Sequence, residues 1–217
     1  MFGRIASRYD LANHALSGGA DILWRARAAQ LVTQWRPKRV LDLATGSGDL
    51  ALALQRLLPA AEIIAADFAP EMLEVARRKG VRQTVLADAL ALPFAEGRFD
   101  CVTVAFGLRN MQDWRAALGE MRRVSADGGH LLVLDFSLPH RFLRPAYRFY
   151  LHRVLPKAAA VLTGQKAAYE YLGSSIEGFP SGAAMVRLIS ESGFGYATAA
   201  PLMGGIATIY TGNAASE

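Results

Sequence analysis

Short, continuous apolar runs alternate with longer segments of helical periodicity between residues 20 and 136. Continuous apolar runs are typical of strands that are covered on both faces, and strands alternating with helices form a parallel sheet. The pattern predicts five strands, at residues 40–43, 62–67, 82–87, 99–106 and 130–136. It also predicts four helices, at residues 20–35, 49–58, 70–79 and 113–124.

The alternation stops after the fifth strand. Residues 138–180 contain helical stretches and no convincing strand, and they precede a predicted helix at residues 181–192. Two short strands at residues 196–200 and 206–211 then suit a reversed hairpin at the edge of the sheet. With 217 residues, the chain suits one α/β domain. Residues 1–35 and 138–180 lie outside its framework and are expected to cover a substrate.

Residues 38–49 join a buried strand, a glycine turn and the start of a helix, which is the opening unit of a nucleotide-binding α/β fold. Gly46-x-Gly48-x-x-Ala51 satisfies the relaxed dinucleotide pattern, and Asp67 follows 19 residues after Gly48. This spacing leaves NAD as an alternative ligand, and an ordinary turn without a ligand is another.

The charges at the turn favour S-adenosylmethionine over NAD. Asp49 stands at the helix N-terminus, where a dinucleotide would place its pyrophosphate, and Asp42 adds a second carboxylate at the end of the strand. S-adenosylmethionine has no phosphate and carries both an ammonium and a sulfonium group. Two acids beside the turn therefore suit its positive charge, although Asp49 would also serve as a simple helix N-cap.

Composition limits the compartment and the partners. The single cysteine, Cys101, excludes an internal disulfide, fits a reducing compartment and is expected to be a small buried hydrophobe. The chain has no run of 18 apolar residues and no apolar signal core at its start, so a cytoplasmic location is expected. The net charge of +5 leaves nucleic acid, an anionic membrane or an acidic substrate open as partners.

Five further motifs occur in order along the chain. They are Phe2-x-x-Ile5-Ala6-x-x-Tyr9-Asp10-x-x-Asn13 with Leu16-Ser17-x-Gly19 and Trp24-Arg25, then Ala105-Phe-Gly-Leu-Arg-Asn110, Leu131-Leu-Val-Leu-Asp-Phe-Ser137, Tyr169-x-Tyr171-Leu172-x-x-Ser175-Ile176-x-x-Phe179-Pro180 and Leu202-x-Gly204-Gly205-Ile206. Together they resemble one family, the ubiquinone/menaquinone-biosynthesis C-methyltransferases of the UbiE/MenG type, and the resemblance covers nearly the whole chain. It implies the Rossmann-like class I methyltransferase fold, with a seven-stranded, mostly parallel sheet that contains an antiparallel strand. Arg148, Ala167 and Tyr210 depart from the family pattern, which bears on the exact substrate more than on the reaction.

The resemblance implies a binding site for S-adenosylmethionine along the carboxyl edge of the sheet. The residues assigned to the methionine side are Asp42, Ala44, Thr45, Gly46, Ser47 and Gly48. Asp67 is expected to accept hydrogen bonds from both ribose hydroxyls, with a helix N-cap as the alternative role. The residues assigned to the adenine and the transferred methyl are Phe68, Asp88, Ala89 and Ala105, although Phe68 would also suit the core.

The implied reaction is methyl transfer to a ring carbon of a prenylated quinol. Arg109 is expected to stabilise the quinolate oxygen and Asn110 to bind a ring oxygen, with a surface salt bridge as the alternative role of Arg109. Tyr9 and Asp10 are expected to close the pocket, and Asp10 is a candidate proton acceptor. The four histidines have no metal-ligand spacing, so no metal is expected.

Residues 141–157 predict a basic, aromatic amphipathic helix that either lies at a membrane surface or packs on the domain as a lid. No nucleic-acid recognition motif accompanies its arginines. A homodimer or a quinone-biosynthesis complex is also expected as an assembly. Three other functions stay open at this point: methyl transfer to another lipophilic acceptor, a non-catalytic cofactor-binding subunit, and a nicotinamide oxidoreductase. The motifs do not separate a naphthoquinol from a benzoquinol acceptor.

Overall fold

A seven-stranded mixed sheet forms the centre of the protein. The computed structural model describes residues 17–140, 142–154 and 173–214. The strands are β1 Arg39–Leu43, β2 Glu62–Asp67, β3 Gln83–Leu86, β4 Phe99–Ala105, β5 Ser125–Phe136, β6 Phe194–Leu202 and β7 Ala207–Ala214. Their order in the sheet is β3-β2-β1-β4-β5-β7-β6, and β7 runs antiparallel to both of its neighbours, β5 and β6.

Helices lie on both faces of this sheet. The helices are α1 Ala20–Trp35, α2 Asp49–Leu57, α3 Pro70–Lys79, α4 Trp114–Val124, α5 Arg144–Phe149 and α6 Ala183–Glu191. Shorter helical turns occur at Leu108–Asn110, Tyr150–Val154 and Met203–Gly205, the second of them a π-helix. The predicted bounds of α1, β2 and α3 are confirmed residue for residue.

Two apolar clusters confirm that the central strands β1, β2, β4 and β5 are buried on both faces. The same prediction is wrong for β3, which lies at the edge of the sheet and has no buried residue. On one face, Val40, Cys101 and Leu132 pack with α1, α2 and Ala76 of α3. On the other face, residues such as Leu41 pack with α4 and α6. Neighbouring residues of a strand therefore enter different clusters, as the alternation of side chains across a sheet requires. Cys101 is fully buried, and burial raises the pKa of its thiol, which confirms its role as a small core residue.

The chain reverses its direction of travel across the sheet between β1 and β4. Strands β2 and β3 are added on one side of β1, and β4 and β5 follow on the other side. In open α/β sheets, ligands bind outside the carboxyl ends of the strands at such a switch point. The fold therefore predicts a ligand site at the loops that follow β1, β2, β3 and β4.

The start of β5 differs from the prediction. The Asp127-Gly-Gly segment was expected to end the preceding helix as a turn, with the strand beginning at His130. Instead, β5 begins at Ser125, directly after α4. Its pairing with β4 jumps from Phe99↔Ser125 to Cys101↔His130, so the glycine segment forms an irregularity inside the strand. The hairpin strands β6 and β7 are also longer than predicted, and β3 is shorter.

The region after β5 is partly described. Helix α5 and the π-helix after it follow the sheet, and residues 173–178 are helical. Leu151 is fully buried, and Tyr147 and Tyr150 pack against the same core cluster as α1. The predicted N-terminal arm before residue 17 and the remainder of the predicted insertion lie outside the described residues. None of the helices in the described part of the chain is long and apolar enough to cross a membrane.

Candidate functional site

A cavity of about 400 Å³ opens at the switch point. It is lined by the loops after β1, β2, β3 and β4, together with Arg25 of α1. This volume lies within the range of about 300–1,000 Å³ that is typical of small-molecule sites. Of the eleven residues predicted to bind the cofactor, all except Gly48 line it.

The glycine turn after β1 has a left-handed backbone at three positions. Ala44 has φ 50°, Gly46 has φ 59° and Gly48 has φ 85°. Gly46 lines the cavity, as predicted. A Cβ on Gly48 would lie 2.5 Å from Val81 Cγ2. Gly48, which was assigned to the methionine side, does not line the cavity, and its missing side chain makes room for Val81. Its contact with a cofactor therefore stays a prediction.

Asp42 is buried at the end of β1, beside the turn. Its carboxylate accepts hydrogen bonds from the hydroxyls of Thr45 (2.6 Å) and Thr103 (2.7 Å). Burial raises the pKa of Asp42 to about 6, although these hydrogen bonds and the positive charge of Arg25 oppose the rise. At neutral pH this carboxylate is therefore charged but poorly solvated, and a cation entering the cavity would stabilise it.

Asp49 and Ser47 share a partner that the sequence did not indicate. The Lys79 ammonium, at the end of α3, donates to Ser47 Oγ (2.6 Å) and to an Asp49 carboxylate oxygen (2.7 Å). Both residues line the cavity. The Asp49 carboxylate, however, was expected to be available to a bound cation, and here it is already paired with Lys79. Asp49 still places a carboxylate at the N-terminus of α2, so the argument against a pyrophosphate at that position holds.

Asp67 ties the turn to the next strand. One carboxylate oxygen accepts from the Gly46 N–H (2.8 Å) and the other from the Ala69 N–H (2.9 Å). Burial raises the pKa of Asp67, and these backbone hydrogen bonds oppose the rise. The N-cap residue of α3 is Ala69 rather than Asp67. A carboxylate can accept about four hydrogen bonds, so Asp67 keeps capacity to accept from a hydroxyl in the cavity.

The residues predicted to hold the adenine follow β2 and β3, which are neighbouring strands, and line the same cavity. Phe68 lines the cavity with 75% of its surface exposed, which excludes the alternative of a core position. Asp88 is exposed, and its Oδ1 accepts from the Leu90 N–H (2.9 Å). Ala89 lies next to it on the cavity wall. An exposed aromatic face beside a carboxylate acceptor suits a planar base that carries an amino group.

The loop after β4 contains a strained residue that the sequence did not single out. Phe106 has φ 60°, which is uncommon for a residue with a side chain. Its N–H donates to the Leu134 carbonyl (2.7 Å), and its ring lies 4.8 Å from that of Phe136. A Cβ on the following residue, Gly107, would lie 2.5 Å from the Ala44 Cβ. The loops after β1 and β4 thus meet at a contact that only glycine permits.

Arg109 is buried beside Asp135 and does not lie in the cavity where a contact with the acceptor was predicted. Its side chain has no exposed surface, and its Nη1 donates to Asp135 Oδ1 (2.7 Å) and to the Phe106 carbonyl (2.5 Å). It does not line the cavity, whereas Asn110 does. The expected contact between Arg109 and the acceptor is therefore not favoured by this geometry, and the alternative of a surface salt bridge is wrong because the pair is buried. Burial raises the pKa of Asp135, and Arg109 opposes the rise.

Other lining residues were missed because no local signal in a single sequence shows that they reach the cavity. They are Arg25, Leu43, Leu50, Ala69, Met72, Ala87, Leu90, Phe106, Gly107, Met111 and Gln112. Tyr9 and Asp10 lie outside the described residues, so their predicted roles stay predictions. Within the described part of the chain, no group of three metal-ligating side chains comes together.

The sheet order, the switch-point cavity and its carboxylates define a class of protein, the Rossmann-like class I methyltransferases. A SAM-dependent methyltransferase structure from Thermotoga maritima shares this fold, with a TM-score of 0.69 over 98% of this chain and 97% of that chain, at 19% identity. The ubiE/COQ5 methyltransferase family model matches residues 1–214, and the chain belongs to that family. The protein is thus a methyltransferase of a SAM-dependent family.

Curated relatives are similar to this chain along most of their length. A demethylmenaquinone methyltransferase of Thermus thermophilus is 51% identical over 200 residues, which cover 89% of this chain and 91% of that protein. A protein of the same name from Deinococcus radiodurans is 43% identical, covering 89% of this chain and 83% of its own. A ubiquinone/menaquinone biosynthesis C-methyltransferase of Geobacter sp. is 40% identical, covering 98% of this chain and 94% of its own.

Proposed function

We propose that this enzyme transfers the methyl group of S-adenosylmethionine to a ring carbon of a prenylated quinol in respiratory quinone synthesis, with demethylmenaquinol as the acceptor. The observation that carries the proposal is the carboxylate-lined cavity at the switch point of a ubiE/COQ5 family chain. The choice of a naphthoquinol rests on the names of the 51% and 43% identical relatives.

The residues of the cavity fit S-adenosylmethionine. Asp67 suits the ribose hydroxyls, Phe68 the face of the adenine and Asp88 its amino group. Asp42 faces the site of an ammonium or sulfonium charge, and Asp49 disfavours a phosphate at the start of α2. When bound, the cofactor supplies an electrophilic methyl group on a sulfonium.

The chain itself must prepare the acceptor. An aromatic ring carbon is a weak nucleophile until the neighbouring quinol hydroxyl, with a phenolic pKa of about 10, loses its proton. Asn110 lines the cavity and can donate a hydrogen bond to that oxygen. Leu90 and Met111 add apolar walls that exclude water from the reacting atoms. Asp10 remains the predicted proton acceptor.

Quinone profiling tests the acceptor. The chain is expressed in a bacterial strain that lacks its own quinone C-methyltransferase and accumulates both demethylmenaquinone and the unmethylated ubiquinone precursor, and the quinones are measured by mass spectrometry. We expect menaquinone to be restored, and an Asp67→Ala variant to restore much less. Restoration of ubiquinone alone would reassign the acceptor to a benzoquinol. Restoration of neither, with the protein expressed and folded, would contradict the proposal.

We further propose that the surface around α5 contacts an anionic membrane, where a prenylated quinol resides. Phe142 is 97% exposed and Phe149 64% exposed, and Arg144 and Arg153 lie near them along the chain. Arg141 and residues 155–157 lie outside the described residues. Arg148 and His152 instead pair with Glu177, so they add less positive charge than the predicted stripe implied.

Vesicle sedimentation tests this contact. We expect the protein to bind phosphatidylglycerol vesicles more than phosphatidylcholine vesicles, and less as salt increases. A double Phe142→Ser/Phe149→Ser variant should lose most of the binding. Leu57→Ser removes an exposed apolar side chain from α2 and serves as the matched control. Equal binding by both variants would contradict the assigned surface.

A further inference from the structure

The cavity contains one basic side chain among several acids. Within the described residues, four carboxylates line it, those of Asp42, Asp49, Asp67 and Asp88, and the only cationic side chain in the lining is Arg25. S-adenosylmethionine carries two positive charges and one negative charge, the carboxylate of its methionine part. A cavity lined only by acids would repel that carboxylate, because like charges in a poorly solvated site are destabilising.

Arg25 is held in place by its own helix. Its Nη1 pairs with the carboxylate of Asp21, which is fully buried one turn earlier in α1 and also accepts from Ser17 Oγ (2.7 Å). The guanidinium carbon lies 4.9 Å above the centre of the Phe106 ring. Asp21 on one edge and Phe106 on one face therefore fix the orientation of the guanidinium plane.

The remaining donors of Arg25 are available to a ligand. Among the described residues, Asp21 is the single hydrogen-bond partner of the guanidinium, through Nη1 alone. The side chain keeps 11% of its surface exposed, and Arg25 contributes to the cavity wall. Arginine has five N–H donors in a planar fork that matches a carboxylate. Lys79, the other cation near the glycine turn, pairs with Asp49 and Ser47 and is not part of the lining.

We propose that Arg25 binds the carboxylate of the methionine part of S-adenosylmethionine, while Asp42 faces its positive end. This inference rests on the proposed function, since it assigns one end of the proposed cofactor. It makes α1 a part of the cofactor site and gives the site a charge pattern, with acids from the sheet edge and a cation from the helix. The expected consequence is discrimination for the carboxylate itself.

Calorimetry with two ligands tests the assignment. S-adenosylmethionine and decarboxylated S-adenosylmethionine differ only in the carboxylate. We expect the wild-type protein to bind the first about 10- to 100-fold more tightly, the scale for a hydrogen bond to a charged group. Arg25→Gln should lose most of that preference by weakening the binding of S-adenosylmethionine, with little change for the decarboxylated ligand. Arg25→Lys should keep part of the preference because it keeps the charge.

Arg27→Gln is the matched control, because Arg27 is an exposed arginine on the same helix. It should leave both affinities unchanged. If the wild-type protein binds S-adenosylmethionine but has no preference over the decarboxylated ligand, or if Arg25→Gln keeps the full preference, the assignment of Arg25 is overturned and the proposed function stands. If the wild-type protein binds neither ligand, the proposed function itself fails. Thermal unfolding of each variant verifies that losses in binding are not losses of the fold, and the wild-type comparison decides the question if a variant does not fold.

Discussion

Burying the Asp42 carboxylate costs free energy, and this makes the stability of the folded protein depend on pH. Its pKa is raised to about 6 in the folded protein, above its ordinary value of 3.8. A raised pKa means that the folded state holds the proton more tightly than the unfolded chain does. The group therefore favours folding most below pH 3.8, and this contribution is lost as the pH rises through about 6.

We predict that Asp42→Asn raises the free energy of unfolding above pH 6 and less so at pH 5. A rise of about two pKa units corresponds to about 3 kcal/mol, which is the upper limit of the gain. The amide keeps an acceptor for one of the two threonine hydroxyls and has no charge to bury. Urea unfolding of both proteins at pH 5 and pH 8 measures the difference. A variant that is less stable at pH 8 than at pH 5, relative to wild type, would contradict this interpretation.

Arg109 and Asp135 form a buried ion pair that should contribute to stability. Both side chains have no exposed surface, so removing one leaves the other as an uncompensated buried charge. We predict that Arg109→Ala lowers the free energy of unfolding by about 3–5 kcal/mol. A double Arg109→Ala/Asp135→Ala variant should lose much less than the sum of the two single losses. Denaturant unfolding of all four proteins completes the cycle, and strict additivity would show that the ion pair does not couple the two residues.

Gly48 lies where the glycine turn before α2 packs closely against α3 and the residue Val81 that follows it. A Cβ at Gly48 would lie 2.5 Å from Val81 Cγ2 and 3.1 Å from Ala76 Cβ, at a left-handed φ of 85°. Gly119, inside α4, has open space around its missing side chain and no positive φ. The same substitution should therefore have opposite effects at the two positions.

We predict that Gly48→Ala destabilises the protein by about 1–3 kcal/mol, since it combines backbone strain with overpacking. Gly119→Ala should stabilise it by about 0.5–1 kcal/mol, because alanine is the better residue in a helix interior. Thermal and urea unfolding of both variants measure the two changes. A neutral Gly48→Ala variant would mean that the contact with α3 relaxes without cost.

The sequence predicted the bounds of a helix or strand correctly where hydrophobic periodicity agrees with residues, such as proline and glycine, that begin or end an element. Helix α3 begins at a proline and ends before a glycine, and both bounds were found. β5 was misjudged because Asp127-Gly-Gly reads locally as a turn, while the pairing with β4 continues past it. Strand pairing is a long-range contact, and a local pattern of residue types does not contain it.

The site could be predicted where a side chain follows a strand directly. Asp42, Asp67 and Asp88 all lie at carboxyl ends, and topology brings such ends to one edge. The direction of the Arg109 side chain could not be predicted, because it depends on burial beside Asp135 on a neighbouring strand. Arg25 belongs to a family motif, but no local signal shows that α1 reaches the cavity, so its place in the site could not be predicted.

In the molecule as a whole, the sheet edge and α1 contribute different charges to one cavity. Trp24 packs its ring 6.2 Å from Phe106 and 6.0 Å from Phe136, which places α1 against the loop after β4. The proposed cofactor side is thus formed by the carboxyl ends of the parallel strands and by a helix that precedes them in the chain. The proposed acceptor side lies at Asn110 and the apolar residues near it.

A labelled methyl group followed through a single turnover tests the proposed methyl transfer directly. Purified protein is mixed with S-adenosylmethionine carrying a ¹³C methyl group and with a reduced, short-chain demethylmenaquinol, and the product is analysed by mass spectrometry and NMR. We predict one ¹³C methyl on a ring carbon, at a rate that falls strongly in Asp67→Ala when cofactor is limiting. A methyl group on the quinol oxygen, or no transfer by protein that binds both ligands, would contradict the proposed C-methylation.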